Sequence, residues 1–153
     1  MWENVDPIYC ANILDRILHR IERTKIDIII PYYKVNNNLI KTLHKTLSEQ
    51  NFIDNCTIYF VSDESPQERQ VYEEFENSRL NCVFLKTEKR SGPGVARNLA
   101  IEESFGEYKF FLDFDDSFGD ENTLKFLYDK VLENNYPDII TAKMNDEYWE
   151  NGW

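Results

Sequence analysis

Short apolar runs rich in β-branched residues alternate along most of the chain with stretches whose apolar residues recur at helical spacing. KIDIIIPYY (25–33) is such a run, closed by Pro31, which has no N–H to give a ladder, and predicts a buried first strand. NNNLIKTLHKTLSEQ (36–50) places Leu39, Ile40, Leu43 and Leu47 on one helical face with His44 on its flank. CTIYFVSDES (56–65) predicts a second strand ending in Asp63, Glu64 and Ser65, and a helix follows through Val71, Tyr72 and Phe75. NCVFLKTE (81–88) is a third strand, GVARNLAIEESFG (94–106) a third helix closed by Gly106, and YKFFLDF (108–114) a fourth strand. ENTLKFLYDKVLENN (121–135) and PDIITAKM (137–144) complete the series as a fourth helix and a fifth strand. Upstream, residues 8–24 carry Ile13, Leu14, Ile17, Leu18 and Ile21 on one face, an amphipathic helix for packing on the domain or on a partner chain.

Strands alternating with helices of this length imply right-handed βαβ crossovers. The fold class is therefore α/β, with Rossmann-like units around a mostly parallel sheet. The expected organisation is an N-terminal helix over 1–24 and one domain over 25–153. Ligands of such sheets bind beyond the carboxyl ends of the strands. That rule gathers Tyr32 and Tyr33, Asp63 and Glu64, the KRSGPG loop (89–94), and Asp113, Asp115 and Asp116 at one edge.

Charge narrows the choice of ligand. Seventeen Lys and Arg against 28 Asp and Glu leave a net −11, which repels nucleic acid and anionic membranes, so an anionic ligand needs a local cation, a helix N-terminus or a metal. Cys10, Cys56 and Cys82 lie far apart with no CxxC pair and are expected as reduced thiols. There is no signal-like N-terminus and no apolar run approaching the roughly 20 residues of a membrane span, so the expectation is a cytoplasmic protein.

FFLDFDDSFGD (110–120) sets four carboxylates directly behind an apolar run. In extended backbone Asp113 and Asp115 point to one side, where they repel unless a proton or cation intervenes. Mg²⁺ or Mn²⁺ suits them, being a hard ion that completes its shell with substrate phosphates. Asp120 is read as a helix cap. A calcium loop is excluded, because Phe118 stands where the loop needs glycine and Leu124 where it needs glutamate. The motif also resembles the DxDx(T/V) of haloacid dehalogenase-like phosphatases, with Asp113 as nucleophile, Asp115 as acid/base and Ser117 in place of Thr or Val. That motif usually lies on a first strand with partners far downstream, and only 37 residues follow Asp116 here.

Taken in order, the strand ends, GPGVARN, GEY and FLDFDD resemble the nucleotide-binding half of a family 2 glycosyltransferase of the GT-A fold, over roughly residues 25–141. The resemblance implies a nucleoside-diphosphate sugar donor site. Pro31 and Tyr33 would lie at the nucleotide base, where an aromatic face suits stacking. Asp63 would accept from the imide N–H of uracil, although SDES stands where the family commonly has DDGS, and a turn-forming role is the alternative. Gly92 and Gly94 would bring backbone close to the donor, Arg97 would pair with an aspartate or the donor, and Asp113 and Asp115 would hold Mn²⁺ or Mg²⁺ against the diphosphate.

The implied reaction is inverting transfer to an acceptor hydroxyl, with a separate carboxylate as base. In the family that base follows the DxD strand. Asp146, Glu147 and Glu150 in the tail have no spacing that marks one, so the expectation is a chain that stops before the acceptor half. Tyr148, Trp149 and Trp153 would then face a partner chain or an oligomer contact, as would the N-terminal helix. A non-catalytic nucleotide-sugar-binding module is the alternative in another class.

Overall fold

The computed structural model describes residues 24–141, so the helix expected over 8–24 and the aromatic tail lie outside the described residues. Four strands form one all-parallel sheet in the order β3-β2-β1-β4, with β1 at Ile26–Tyr32, β2 at Cys56–Ser62, β3 at Cys82–Lys86 and β4 at Tyr108–Phe111. The helices are α1 (Asn37–Ser48), α2 (Glu68–Phe75), α3 (Pro93–Glu103) and α4 (Thr123–Glu133), with a 3₁₀ turn at Ile53–Asn55.

β1 and β2 are buried along their whole length, which is why both sequences read as continuous apolar runs rather than alternating ones. Their alternate side chains feed two layers. Ile28, Ile30, Ile58 and Phe60 meet Leu43 and Leu47 of α1, Val71 and Phe75 of α2, and Leu124 and Val131 of α4. Ile29, Tyr59 and Val61 meet Ala96 and Ala100 of α3 on the other face. Small residues at those two positions let α3 lie close to the sheet.

The change of face follows from the strand order. From β1 to β3 the chain steps outward in one direction, and the crossover to β4 then runs back the other way. A right-handed connection consequently puts α3 on the opposite side. The reversal falls between β1 and β4, where a crevice opens at the carboxyl ends.

Three predicted features differ. No strand forms over Pro137–Thr141, and 142–144 lie outside the described residues. β4 ends at Phe111, although the Leu112 N–H still donates to the Ile29 carbonyl at 3.1 Å. Gly106 does not close α3, which ends at Glu103 with Ser104 as its cap. Gly106 is instead required by a close approach, since a Cβ there would lie 2.8 Å from Cγ of buried Asp27.

Candidate functional site

All four strands are parallel, so their carboxyl ends share one edge, and a cleft of about 430 Å³ opens there. Pro31, Tyr33, Asp63, Arg97, Asp113 and Asp115 all line it, together with Lys34, Leu39 and Pro93. Of the eight residues singled out from sequence, the structure brings six to this cleft. Gly92 and Gly94 flank it on either side of Pro93. A larger groove of about 860 Å³ runs beside β4 under Tyr136–Ile140, but apart from Phe111 it contains none of the strand-end residues.

The acidic segment is aimed by its apolar neighbours. Leu112 and Phe114 are buried while Asp113 and Asp115 are exposed, so the alternation places both carboxylates on the cleft side. Phe114 is held by Tyr32, with ring centroids 5.4 Å apart, and by Phe60 at 6.4 Å. Further along, the Phe118 N–H donates to Thr46 Oγ1 at 3.2 Å, and buried Gln50 ties the end of α1 to the Asp120 carbonyl and the Leu124 N–H. Asp120 Oδ1 accepts from the Asn122 N–H at 2.8 Å, so Asp120 shapes the entry to α4.

Asp113 and Asp115 have different surroundings. Arg97 Nη2 donates to Asp113 Oδ1 at 2.5 Å, whereas the Asp115 carboxylate has no hydrogen-bond or ion-pair partner among the described residues. Among those residues no group of three or more Asp, Glu, His or Cys forms a ready cage for a metal. The two carboxylates are hard oxygen donors suited to an ion that takes its remaining ligands from phosphates and water.

Asp63 is buried, and its carboxylate is already well supplied with donors. Oδ1 accepts from the Ser91 N–H (2.8 Å) and the Thr87 hydroxyl (3.0 Å), and Oδ2 accepts from the Gly92 N–H (2.8 Å). Burial pushes this carboxyl up, but the Ser91, Gly92 and Thr87 donors outweigh it and hold it below the ordinary value of 3.8. The sequence alone suggested a base acceptor or a turn former. The structure adds that Asp63 anchors the glycine loop, with Gly92 in the left-handed region at φ 89° as the N-cap of α3. Among the described residues Oδ2 accepts from the Gly92 N–H alone, which leaves it acceptor capacity.

A carboxyl depressed on folding stabilises the protein above its unfolded pKa and loses that contribution as pH falls through its folded pKa. Asp63→Asn should therefore be less stable than wild type at pH 7, with the gap narrowing as pH drops below about 4. Urea midpoints measured across that range check it, and a constant gap would contradict it.

Tyr33, half-buried at the cleft mouth, carries the Arg90 guanidinium 3.9 Å from its ring centroid, a contact that sequence reasoning did not foresee. Neighbouring Tyr32 is turned inward, and burial pushes its hydroxyl up to about 12. Both tyrosines line the cleft, Tyr32 from a buried position and Tyr33 from a half-buried one.

Comparison with known proteins places the chain in a family. The model of Glycosyl transferase family 2 matches residues 27–152. A poly(ribitol-phosphate) beta-glucosyltransferase of Bacillus spizizenii is 29% identical over 122 residues, covering 78% of this chain and 19% of that protein. The Staphylococcus aureus poly(ribitol-phosphate) beta-N-acetylglucosaminyltransferase TarS is 29% identical over 130 residues, covering 78% and 21%. The chain thus spans about a fifth of the length of these relatives. The crystal structure of S. aureus TarS 1-349 in complex with UDP superposes with a TM-score of 0.66 at 31% identity, covering 73% of this chain and 33% of that one. The Pyrobaculum calidifontis mannosyltransferase PcManGT, solved with GDP-Man and Mn²⁺, shares the fold at TM-score 0.60 and 22% identity, covering 67% and 30%.

Proposed function

Because the chain belongs to glycosyl transferase family 2 and its sheet is the N-terminal portion of a GT-A fold, we propose that the cleft holds a nucleoside-diphosphate sugar, with uridine as the nucleoside. The observation that carries this reading is the convergence of an aromatic ring, a buried carboxylate, an arginine and two same-side aspartates around one cleft at the sheet's reversal point. The protein would act as a glycosyltransferase, inverting the anomeric centre on transfer to an acceptor hydroxyl. Uridine is supported by the relative TarS, whose structures contain UDP and UDP-GlcNAc.

Each residue has a task in this scheme. The Tyr33 ring offers a face to the flat base, and Pro31 lines the same cleft. Oδ2 of Asp63 retains a lone pair for the imide N–H, and a carboxylate that already accepts three hydrogen bonds stays ionised and acceptor-only. Pro93 at the first turn of α3 has no N–H and Gly92 has spent its own on Asp63, so the free donors of that helix start at Gly94. Arg97, one turn further on, supplies the positive charge a diphosphate needs in an acidic protein.

Asp115 and Asp113 would hold Mn²⁺ or Mg²⁺. When bound, such an ion offsets the negative charge that develops on the leaving nucleoside diphosphate. The acceptor and the base that deprotonates it would come from outside residues 24–141.

A thermal-shift titration tests the reading. UDP with Mn²⁺ at about a hundred times its dissociation constant should stabilise the chain by roughly 2.7 kcal/mol, and much less without metal. Stabilisation by GDP but not UDP would overturn the uridine assignment, and no response to any nucleoside diphosphate would overturn the donor site.

A further inference from the structure

Glu64 follows Asp63 at the end of β2 and has a positive φ of 59°, in the left-handed region that a glutamate enters only at a cost. In the family pattern DDGS, glycine stands at this position. The glutamate brings a carboxylate that glycine lacks, and its Oε2 accepts from the Arg90 N–H at 3.1 Å. Next to it, Asp63 accepts from the N–H groups of Ser91 (2.8 Å) and Gly92 (2.8 Å). Three successive backbone N–H groups thus converge on two successive carboxylates. Runs of this kind form anion-binding nests in other settings, and here the protein fills the nest with its own side chains.

The consequence reaches the cleft through Arg90. Its backbone is fixed by Glu64, and its guanidinium lies 3.9 Å from the centroid of the Tyr33 ring. We propose that Glu64 is a positioning residue: with Asp63 it clamps the Arg90–Gly92 turn and so sets where the Arg90 guanidinium stands against Tyr33 at the wall of the nucleotide site. This rests on the donor-site reading above. The left-handed backbone at Glu64 is retained because the side chain it turns towards Arg90 closes the clamp.

Three variants separate this role from a purely structural one. Glu64→Gly removes the acceptor and relieves the backbone, so its melting temperature should equal or exceed that of wild type. Its UDP affinity should nevertheless fall roughly three- to tenfold, the worth of one hydrogen bond. Glu64→Ala should weaken UDP to the same degree while also melting lower, and Glu64→Gln, whose amide oxygen can accept the same bond, should bind UDP like wild type. Amide exchange read by NMR on the ¹⁵N-labelled full chain adds an arm that needs no nucleotide: the Arg90 N–H should exchange faster in Glu64→Gly and Glu64→Ala, and at the wild-type rate in Glu64→Gln. UDP affinity in Glu64→Gly within twofold of wild type overturns the positioning role, and so does unchanged Arg90 exchange. If wild type itself fails to bind UDP, the donor-site reading fails, and the exchange arm still decides whether Glu64 clamps the turn.

Discussion

Lys109→Met should destabilise the fold by about 3 kcal/mol, the largest single stability loss among the substitutions considered. Asp27 and Lys109 are directly paired across β1 and β4, with Lys109 Nζ 2.9 Å from Asp27 Oδ2. The Asp27 side chain is 1% exposed and that of Lys109 25%. Oδ2 also accepts from the Gly106 N–H at 2.5 Å, while Oδ1 is buried with no hydrogen-bond partner among the described residues. Removing the ammonium leaves a buried carboxylate with a single N–H donor, and a buried charge stripped of its partner typically costs about 3–5 kcal/mol. Lys109 retains some contact with water, which puts the expectation at the lower end.

Neutralising the other partner supplies the control. In the double variant Asp27→Asn/Lys109→Met the amide oxygen still accepts from Gly106, no charge is buried, and more than half of the loss should return. Urea denaturation of the three proteins measures both quantities. A single-variant loss below about 1 kcal/mol would show that the pair does not behave as a buried one. The pair sits near the start of β1 and β4, at the end of the sheet opposite the cleft. It joins the two strands whose reversed order opens the site, and neither residue lines the cleft.

Which features of the fold were legible in the sequence follows from what hydrophobic spacing can report. Leu43 and Leu47, Val71 and Phe75, and Leu124 and Val131 mark buried helix faces because their spacing is a property of the helix itself. A strand also needs a neighbour with which to pair, and no local pattern supplies one. Ile139, Ile140 and Thr141 have strand chemistry, yet Asn135 and Tyr136 turn the chain at φ 56° and 58°, and Ile139 is left 80% exposed. Gly106 illustrates the same limit. It follows a helix and reads as its cap, whereas the residue that excludes a side chain there is Asp27, 79 positions earlier.

The candidate site was legible where chemistry is carried by single residues at strand ends. Tyr33, Asp63, Asp113 and Asp115 could be assembled because a parallel sheet sends all its carboxyl ends to one edge, whereas Arg97, inside α3, was reached only through the family resemblance. Connections inside the site were hidden. The Arg97 to Asp113 contact was one of two options open to Arg97, the three donors on Asp63 come from a loop 24–29 residues away, and the contact between Arg90 and Tyr33 crosses 57 positions. Glu64 was visible as a strand-end carboxylate and a departure from DDGS, but its tie to Arg90 was not, because its left-handed backbone is a property of the turn rather than of the residue.

The difference between Asp113 and Asp115 leads to the largest functional effect. Asp115→Asn should weaken Mn²⁺-dependent UDP binding by about a hundredfold or more, since even groups that merely support a metal ligand typically account for 10–100-fold in metal affinity. Without metal, the variant should bind UDP as wild type does, because Asp115 has no described partner whose position depends on its charge. Its stability should be unchanged or slightly raised, as one of two repelling carboxylates is removed. Asp113→Asn differs on both counts. It weakens the contact with Arg97, so UDP binding should change even in EDTA, where Arg97 is one of the cleft's cations that can meet the diphosphate. The pair is only half shielded, with side-chain exposures of 30% for Arg97 and 57% for Asp113, so the cost in stability stays under about 1 kcal/mol. Calorimetric titration of UDP into both variants, with Mn²⁺ and with EDTA, resolves the four cases. If Asp115→Asn retains full metal dependence, the ion is held elsewhere and the acidic pair does not form its site. If Asp113→Asn behaves like wild type in EDTA, Arg97 reaches the phosphates without help from Asp113.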